Sequence, residues 1–443
     1  MSETLAYPNA PTWRANWRTL SLRLRVVWIV AVVLAAVHML GIAGWMALSP
    51  DYTPEEANRY SDIMVYSNAA RAVRAGVTPY ELHSWGESVQ VYHYHPLFAL
   101  AFSLVVDLPF RLLSVLGVLV HTVCYVVGWY FWRRVAQALG LTSAAAAFVA
   151  WAPAAMIYPN WEVTLFYWNI NSALVPLTAL LTLALIRERS GLVVLFALPL
   201  LLTKPHFLFP FLLPLVLRHW RFLFRTLALL LVAYLAANTL YVLLVDPAFG
   251  VQTLRDYGTF LSGITRFYPW EGQGPYFDFT NHSWRQIYYH YFGFQPWVPA
   301  ALLLTEALFI VPVLAAIVLA LRRRLSVPRD AQPVILFVLL GYLIAMTTLE
   351  QLWELGLGIV VFAFLRAARD RTVHRLSAVF WGYIFYEPVV LAGYMFSERL
   401  IPHEVLPVNM LAMVVLYIPG ILWLYRELAA PRTSLAAPTA RAV

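Results

Sequence analysis

Apolar stretches long enough to cross a hydrocarbon core of about 30 Å recur near residues 26–48, 110–132, 142–158, 168–186, 226–245, 297–321, 332–348, 376–396 and 406–425. A shorter one covers 355–365, and 192–203 and 207–217 are two apolar halves broken at Lys204-Pro205-His206. In lipid such segments satisfy their backbone polar groups only as helices or closed barrels, and runs of this length read as helices. The expected fold is therefore an all-α polytopic integral membrane protein, with about 10–12 transmembrane helices including the broken half-helix pair. Composition points the same way: of 443 residues 61% are apolar and only 12% charged, against about 25% charged in a soluble domain. A water-soluble enzyme and a disordered chain are excluded. The single cysteine, Cys124, excludes an intramolecular disulfide, a thiolate zinc cluster and a CxxC redox pair.

The arginines set an orientation. Arg14, Arg18, Arg23 and Arg25 precede the first span, which predicts a cytoplasmic N-terminus. Counting spans then brings Arg133-Arg134, Arg187/Arg189, Arg218/Arg221/Arg225, Arg322–Arg324, Arg366–Arg375 and Arg426 to that same side. The net charge of +8 thus reads as membrane orientation, with the bilayer as partner and no nucleic acid. The expected division is a cytoplasmic tail 1–25, a membrane domain 26–425 with long outer loops 49–109 and 246–296, and a cytoplasmic tail 426–443. The first span reads as an uncleaved anchor in the cytoplasmic (inner) membrane. Cytoplasmic connections are short and basic, so an active site is expected on the extracytoplasmic side.

In the first outer loop, Ser61–Ala75 predicts an amphipathic helix stopped by Gly76. At about 100° per residue, Asp62, Tyr66, Ala69 and Val73 share one face while Arg71 falls opposite. Asp62 is either a first-turn carboxylate favoured by the helix dipole or an acid held at the water–lipid boundary for chemistry. His93 and His95 resemble a metal pair, but spacing fixes no third ligand, so no metal is expected. Lys204 is the only lysine and sits at the break between apolar halves. With His206 and a helix N-terminus expected at 207, it reads as an anion site for phosphate, the alternative being a snorkelling side chain. In the second loop Asn281-His282-Ser283 lies among Arg266, Trp270, Trp284, Arg285 and a run of tyrosines, a mix that either caps the interface or stacks on sugars and clamps phosphates. There is no Gly-rich phosphate loop, no Asp-x-Asp pair and no GxSxG elbow.

The order Asp62-x-x-x-Tyr66, Gly76-x-x-Pro79-Tyr80, Tyr92-x-Tyr94-x-Pro96, Asn169-Ile170-Asn171-Ser172, Lys204-Pro205 and Asn281-His282-Ser283 resembles glycosyltransferase family 87. These are polyprenyl-phosphate-mannose-dependent mannosyltransferases of the multi-span GT-C fold, and the resemblance covers roughly residues 26–365. The chain departs from the family pattern in having His95-Pro96 for Pro-Pro, Asn281-His282-Ser283 for Asn-Gln-Ser, and Glu350 and Glu354 within Thr347–Glu354 where the family has a Trp-x-His pattern. The resemblance implies inverting transfer of a sugar from a polyprenyl-phosphate donor to a glycolipid or glycan acceptor hydroxyl, without cofactor or metal. Asp62 would be the general base, and Lys204, His206, Arg266 and Arg285 would hold the donor phosphate. Tyr66, Tyr80, His93, His95, Asn171, Asn281, His282, Trp284, Glu350 and Glu354 would contact sugar or acceptor. The rival reading is a transporter or flippase for a lipid-linked or anionic substrate, because broken helices and a lone intramembrane lysine also serve transport. A membrane scaffold is the third.

Overall fold

The structure, a computed structural model, describes residues 13–58, 61–80, 92–267, 283–349, 356–368, 370–386 and 408–430. Among them every regular element is helical. In chain order the helices are α1 (Trp13–Thr19), α2 (Leu22–Leu48), α3 (Pro54–Ala57), α4 (Asp62–Arg74), α5 (Pro96–Phe102), α6 (Phe110–Ala138), α7 (Thr142–Ala150), α8 (Ala152–Met156) and α9 (Pro159–Tyr167). Then follow α10 (Asn171–Ile186), α11 (Ser190–Thr203), a 3₁₀ helix (Pro205–Phe211), α12 (Leu212–Val216), α13 (Trp220–Leu244), α14 (Pro247–Phe267) and α15 (Trp284–Phe292). The last are α16 (Val298–Arg323), α17 (Ala331–Leu349), α18 (Gly358–Arg366), α19 (Arg371–Ala378) and α20 (Val408–Ala429).

Five of these, α2, α6, α13, α16 and α20, are long and apolar enough to cross a membrane. Their outer surfaces suit lipid: on α2 alone Val26, Val30, Val33, Val37 and Leu40 are each at least half exposed, which water would penalise. Shorter apolar helices pack inside this frame, and α10 is buried along nearly its whole length. The described residues are thus those of a helical membrane protein.

Several expected spans are interrupted, each for a local reason. The segment 142–158 is not one helix, because Pro153 opens α8 and Pro159 opens α9. Tyr158, which precedes Pro159, is extended as proline requires. The segment 168–186 starts late, at Asn171, since Trp168 ends α9 in the left-handed region with φ 60°. The break at Lys204 is where the sequence puts it, with Lys204 extended between α11 and the next helix. That next helix corrects the expectation of an α-helical N-terminus at 207. It is 3₁₀ from Pro205, two prolines thin its amide donors, and the Phe207 N–H already donates to the Lys204 carbonyl at 3.0 Å. The second outer segment was read only as an aromatic loop, yet it contains α14, whose Thr253, Tyr257 and Phe260 are buried at helical spacing.

α6 and α10 lie side by side in the same direction. Trp168, just before α10, meets Gly117 near the start of α6, and Val175 and Pro176 meet Gly128. At the far end Arg187 and Arg134 border one cleft. The arginine-bearing turns pair among themselves: Glu188 with His219 at 2.9 Å, Arg225 with Ser190 at 3.2 Å, and Arg426 with Asp370. At the opposite end of α10 the His95 N–H donates to the Leu202 carbonyl at 3.0 Å, tying the chain before α5 to the end of α11. Residues 61–66, 92–95, 168–171 and 202–204 therefore meet at one end of the bundle, away from Arg187 and Arg189 in the connection between α10 and α11.

Candidate active site

The site is assembled on α4, an amphipathic helix close to the expected Ser61–Ala75, which buries Ile63, Met64, Val65, Tyr66, Ala69 and Val73. Asp62 is its first residue and stays partly exposed. Its Oδ2 accepts two hydrogen bonds, from Asn169 Nδ2 at 2.7 Å and from the Tyr66 hydroxyl at 3.2 Å. The second of these is the i, i+4 partner on the same helix face. Oδ1 accepts no hydrogen bond among the described residues. Burial pushes the Asp62 carboxyl up to about 6, even though the nearby Lys204 charge and the Tyr66 and Asn169 hydrogen bonds pull it down.

Asn169 reaches Asp62 because of an unusual turn. Trp168 adopts φ 60°, a conformation costly for a bulky residue, and it is held there by its ring. The indole donates to the Ser114 carbonyl at 3.1 Å and lies edge-on to His121 and Phe102, with ring centroids 5.0 and 5.9 Å away. The space for that ring exists because residue 117 is glycine: a Cβ there would stand 1.5 Å from the indole nitrogen. Beyond the turn, Asn169 Oδ1 accepts from the Asn171 N–H at 3.1 Å, a local bond of the kind asparagine makes ahead of a helix. The Ile170 N–H donates to the Tyr66 hydroxyl at 3.3 Å. Two residues further, Ser172 shares a hydrogen bond with His121.

Asn171 sits in this network unsatisfied. Its side chain is 2% exposed, and neither its amide nitrogen nor its carbonyl oxygen has a hydrogen-bond partner among the described residues. An orphaned buried amide costs about 1–3 kcal/mol, so a polar group that fills its hydrogen bonds would be held firmly. Lys204, 8% exposed, is near enough to act on the Asp62 charge. Motifs separated by more than a hundred residues thus meet around one carboxylate. His206 is partly exposed beside them, its ring against Phe207.

A buried aromatic layer supports the site. Tyr66, Tyr94, Phe98 and Phe102 pack ring to ring with centroids 5.3–6.4 Å apart. Three expected sugar contacts, Tyr80, Tyr66 and His95, lie in or beside this layer. The Tyr80 hydroxyl donates to the Tyr94 carbonyl at 2.6 Å while its ring packs on Tyr257 and Phe260. Tyr66 is 1% exposed and spends its hydroxyl on Asp62, so it orients the acid and offers no platform to a sugar. His95 is fully buried: its Nδ1 accepts the Leu97 N–H that opens α5, and its Nε2 pairs with Asn238 at 3.2 Å. Burial lowers its imidazole to about 4, which leaves it neutral and unsuited to an anion. His93 remains partly exposed and stacks on Phe260 at 6.0 Å.

The residues expected from the second loop fall elsewhere or outside the description. Trp284 packs on Phe309 at 5.6 Å, partly buried against the main core. Arg285 lies over the Tyr289 ring of α15 and acts on the charge of Glu306 on α16. Arg266 lies in α14 but its side chain, like Asn281, His282, Glu350 and Glu354, is outside the described residues. Trp168 and His121 have no place in the sequence reading, while Asn169, Tyr94 and Ser172 stand there in motifs but with no assigned role. The asparagine-rich start of an apolar run was the available signal for Asn169.

A comparison of the chain with protein-family models finds no match, and a comparison with curated proteins finds none either.

Proposed function

We propose that the chain is a GT-C-like membrane glycosyltransferase. It moves a sugar, mannose by the family resemblance, from a polyprenyl phosphate to an acceptor hydroxyl on the extracytoplasmic face of the cytoplasmic membrane. The observation that carries this reading is Asp62. One carboxylate oxygen accepts from Tyr66 and Asn169, the other accepts no hydrogen bond among the described residues, and the only lysine of the chain lies nearby. A general base works best when its affinity for protons approaches the ambient pH, and a carboxyl near 6 is ionised at neutrality yet more basic than an exposed one.

In the proposed reaction the acceptor hydroxyl donates to Asp62 Oδ1. Its oxygen bonds to the anomeric carbon while the bond from that carbon to the phosphate oxygen breaks on the opposite face. The proton ends on Asp62 and the electron pair leaves with the lipid phosphate, so the configuration inverts. Lys204 offsets the charge of the leaving phosphate, the part a divalent ion plays for nucleotide donors. The unpartnered Asn171 amide has the donors and acceptor to hold a sugar hydroxyl. His206, Arg266, Arg285, Asn281, His282, Glu350 and Glu354 complete the proposed donor and acceptor contacts.

Incubating the purified chain with a panel of polyprenyl-phosphate sugars and candidate glycolipid acceptors, and weighing the products, tests the reading. A new glycosidic product that depends on Asp62 is the expected result. Movement of the lipid across a vesicle bilayer without any product would replace it with a transporter, to which the break at Lys204 also lends itself.

A further inference from the structure

At the end of the bundle away from Asp62, three helices each bring one stripe of side chains to a shared cleft. Tyr130 and Arg134 of α6, Leu183 of α10 with Arg187 at its C-terminal cap, and Leu192 and Phe196 of α11 border it. Each pair is four residues apart, hence on one helix face. The composition is two-part, with an apolar floor, on which Leu183 is buried, and two guanidinium groups at the rim. Arg134 and Arg187 are both exposed. Neither has a carboxylate partner among the described residues: Arg134 donates to Gln137 at 3.2 Å, and Glu188, the acid next to Arg187, is engaged by His219. The tyrosine hydroxyl adds a neutral donor beside the two cations.

We infer that this cleft binds the headgroup phosphate of an anionic phospholipid from the leaflet at the arginine end. Two guanidinium groups from adjacent helices match a phosphate by charge and by geometry, and basic pockets between membrane helices hold such headgroups. The apolar flanks favour a lipid over a free ion. Val123, Val126 and Val127 of α6 and Leu195 of α11 continue the exposed apolar surface beside the cleft, and give acyl chains a surface to follow once the headgroup is seated. The inference does not depend on sugar transfer, since no residue of the Asp62 site takes part.

Native mass spectrometry of the purified full chain after exposure to phosphatidylglycerol or phosphatidylcholine tests it. The wild type should retain phosphatidylglycerol preferentially. Arg134→Ala with Arg187→Ala should reduce that retention about tenfold, while a control pair from other charged turns, Arg221→Ala with Arg322→Ala, leaves it unchanged. Because both cleft arginines are exposed the variant is expected to fold. Its melting temperature without lipid should equal that of the wild type, and added phosphatidylglycerol should raise only the wild-type value. Equal retention of the two lipids, equal loss in the control pair, or full reproduction of the thermal effect by inorganic phosphate would each overturn the assignment.

Discussion

Asn169 donates its amide to Asp62 across 107 residues of sequence, at 2.7 Å. That bond joins the turn before a buried apolar helix to the first residue of an amphipathic one, and with the Tyr66 hydroxyl it fixes which carboxylate oxygen is left to act.

If Asp62 is the base, Asp62→Asn keeps a side chain that can still bond Tyr66 and Asn169, so the fold should persist. Turnover with a polyprenyl-phosphate sugar should fall by about 10²–10⁴. Circular dichroism beside a product assay checks both halves, and turnover within tenfold of wild type would remove Asp62 from the mechanism.

The pH profile should follow from the same carboxyl. Asp62 must be ionised to accept a proton, so activity should rise with pH through an acid limb near 6. Lys204 lowers the proton affinity of Asp62; Lys204→Ala therefore moves the limb to higher pH and also weakens binding of the donor lipid more than that of the acceptor. A limb that stays in place in the variant would separate the two residues.

Gly117→Ala should destabilise the protein by about 1–3 kcal/mol, because the new methyl group has no room unless the Trp168 indole moves. Combining it with Trp168→Leu should cost less than the sum of the single changes, as expected for residues in contact. Additive melting shifts would show that the two do not share a space.

His95→Asn should alter stability and its pH dependence while leaving donor affinity unchanged. In the folded chain the imidazole resists protonation down to about 4, whereas in the unfolded chain it protonates near the ordinary 6.5 of histidine. The lowered value stabilises the fold above about 6.5, and that stability is lost as pH falls from there toward 4. Asp62 titrates in the opposite sense in both proteins, so the difference between wild-type and variant denaturation curves isolates His95. A pH-independent difference would refute the assignment.

How much of this was written in the sequence depends on range. The apolar spans, the helix around Asp62 and the break at Lys204 follow from composition and local periodicity, which neighbouring residues settle among themselves. The interruptions at Pro153 and Pro159 were legible too, had the prolines been weighed against the length of the run. The partnership of Asp62 with Asn169 was not, because a contact spanning 107 residues is decided by how α4 seats against the turn that precedes α10. The left-handed turn at Trp168 is harder still to foresee: a tryptophan resists that conformation, and only the cavity over Gly117, fifty-one residues earlier in the chain, compensates. The hydrogen bonds of Tyr66, Tyr80 and His95 were out of reach for a related reason. Their residue types suit sugars, but burial assigned their polar atoms to the protein itself.

The indole lodged over Gly117 has a consequence for how the sequence can drift. Position 117 can acquire a side chain only if position 168 gives one up, and position 168 can shrink only by releasing the turn that aims Asn169. Substitutions at 117, 168 and 169 should therefore arise together or not at all, which makes this triplet a fingerprint by which true relatives of the chain could be told from other arginine-rich membrane bundles.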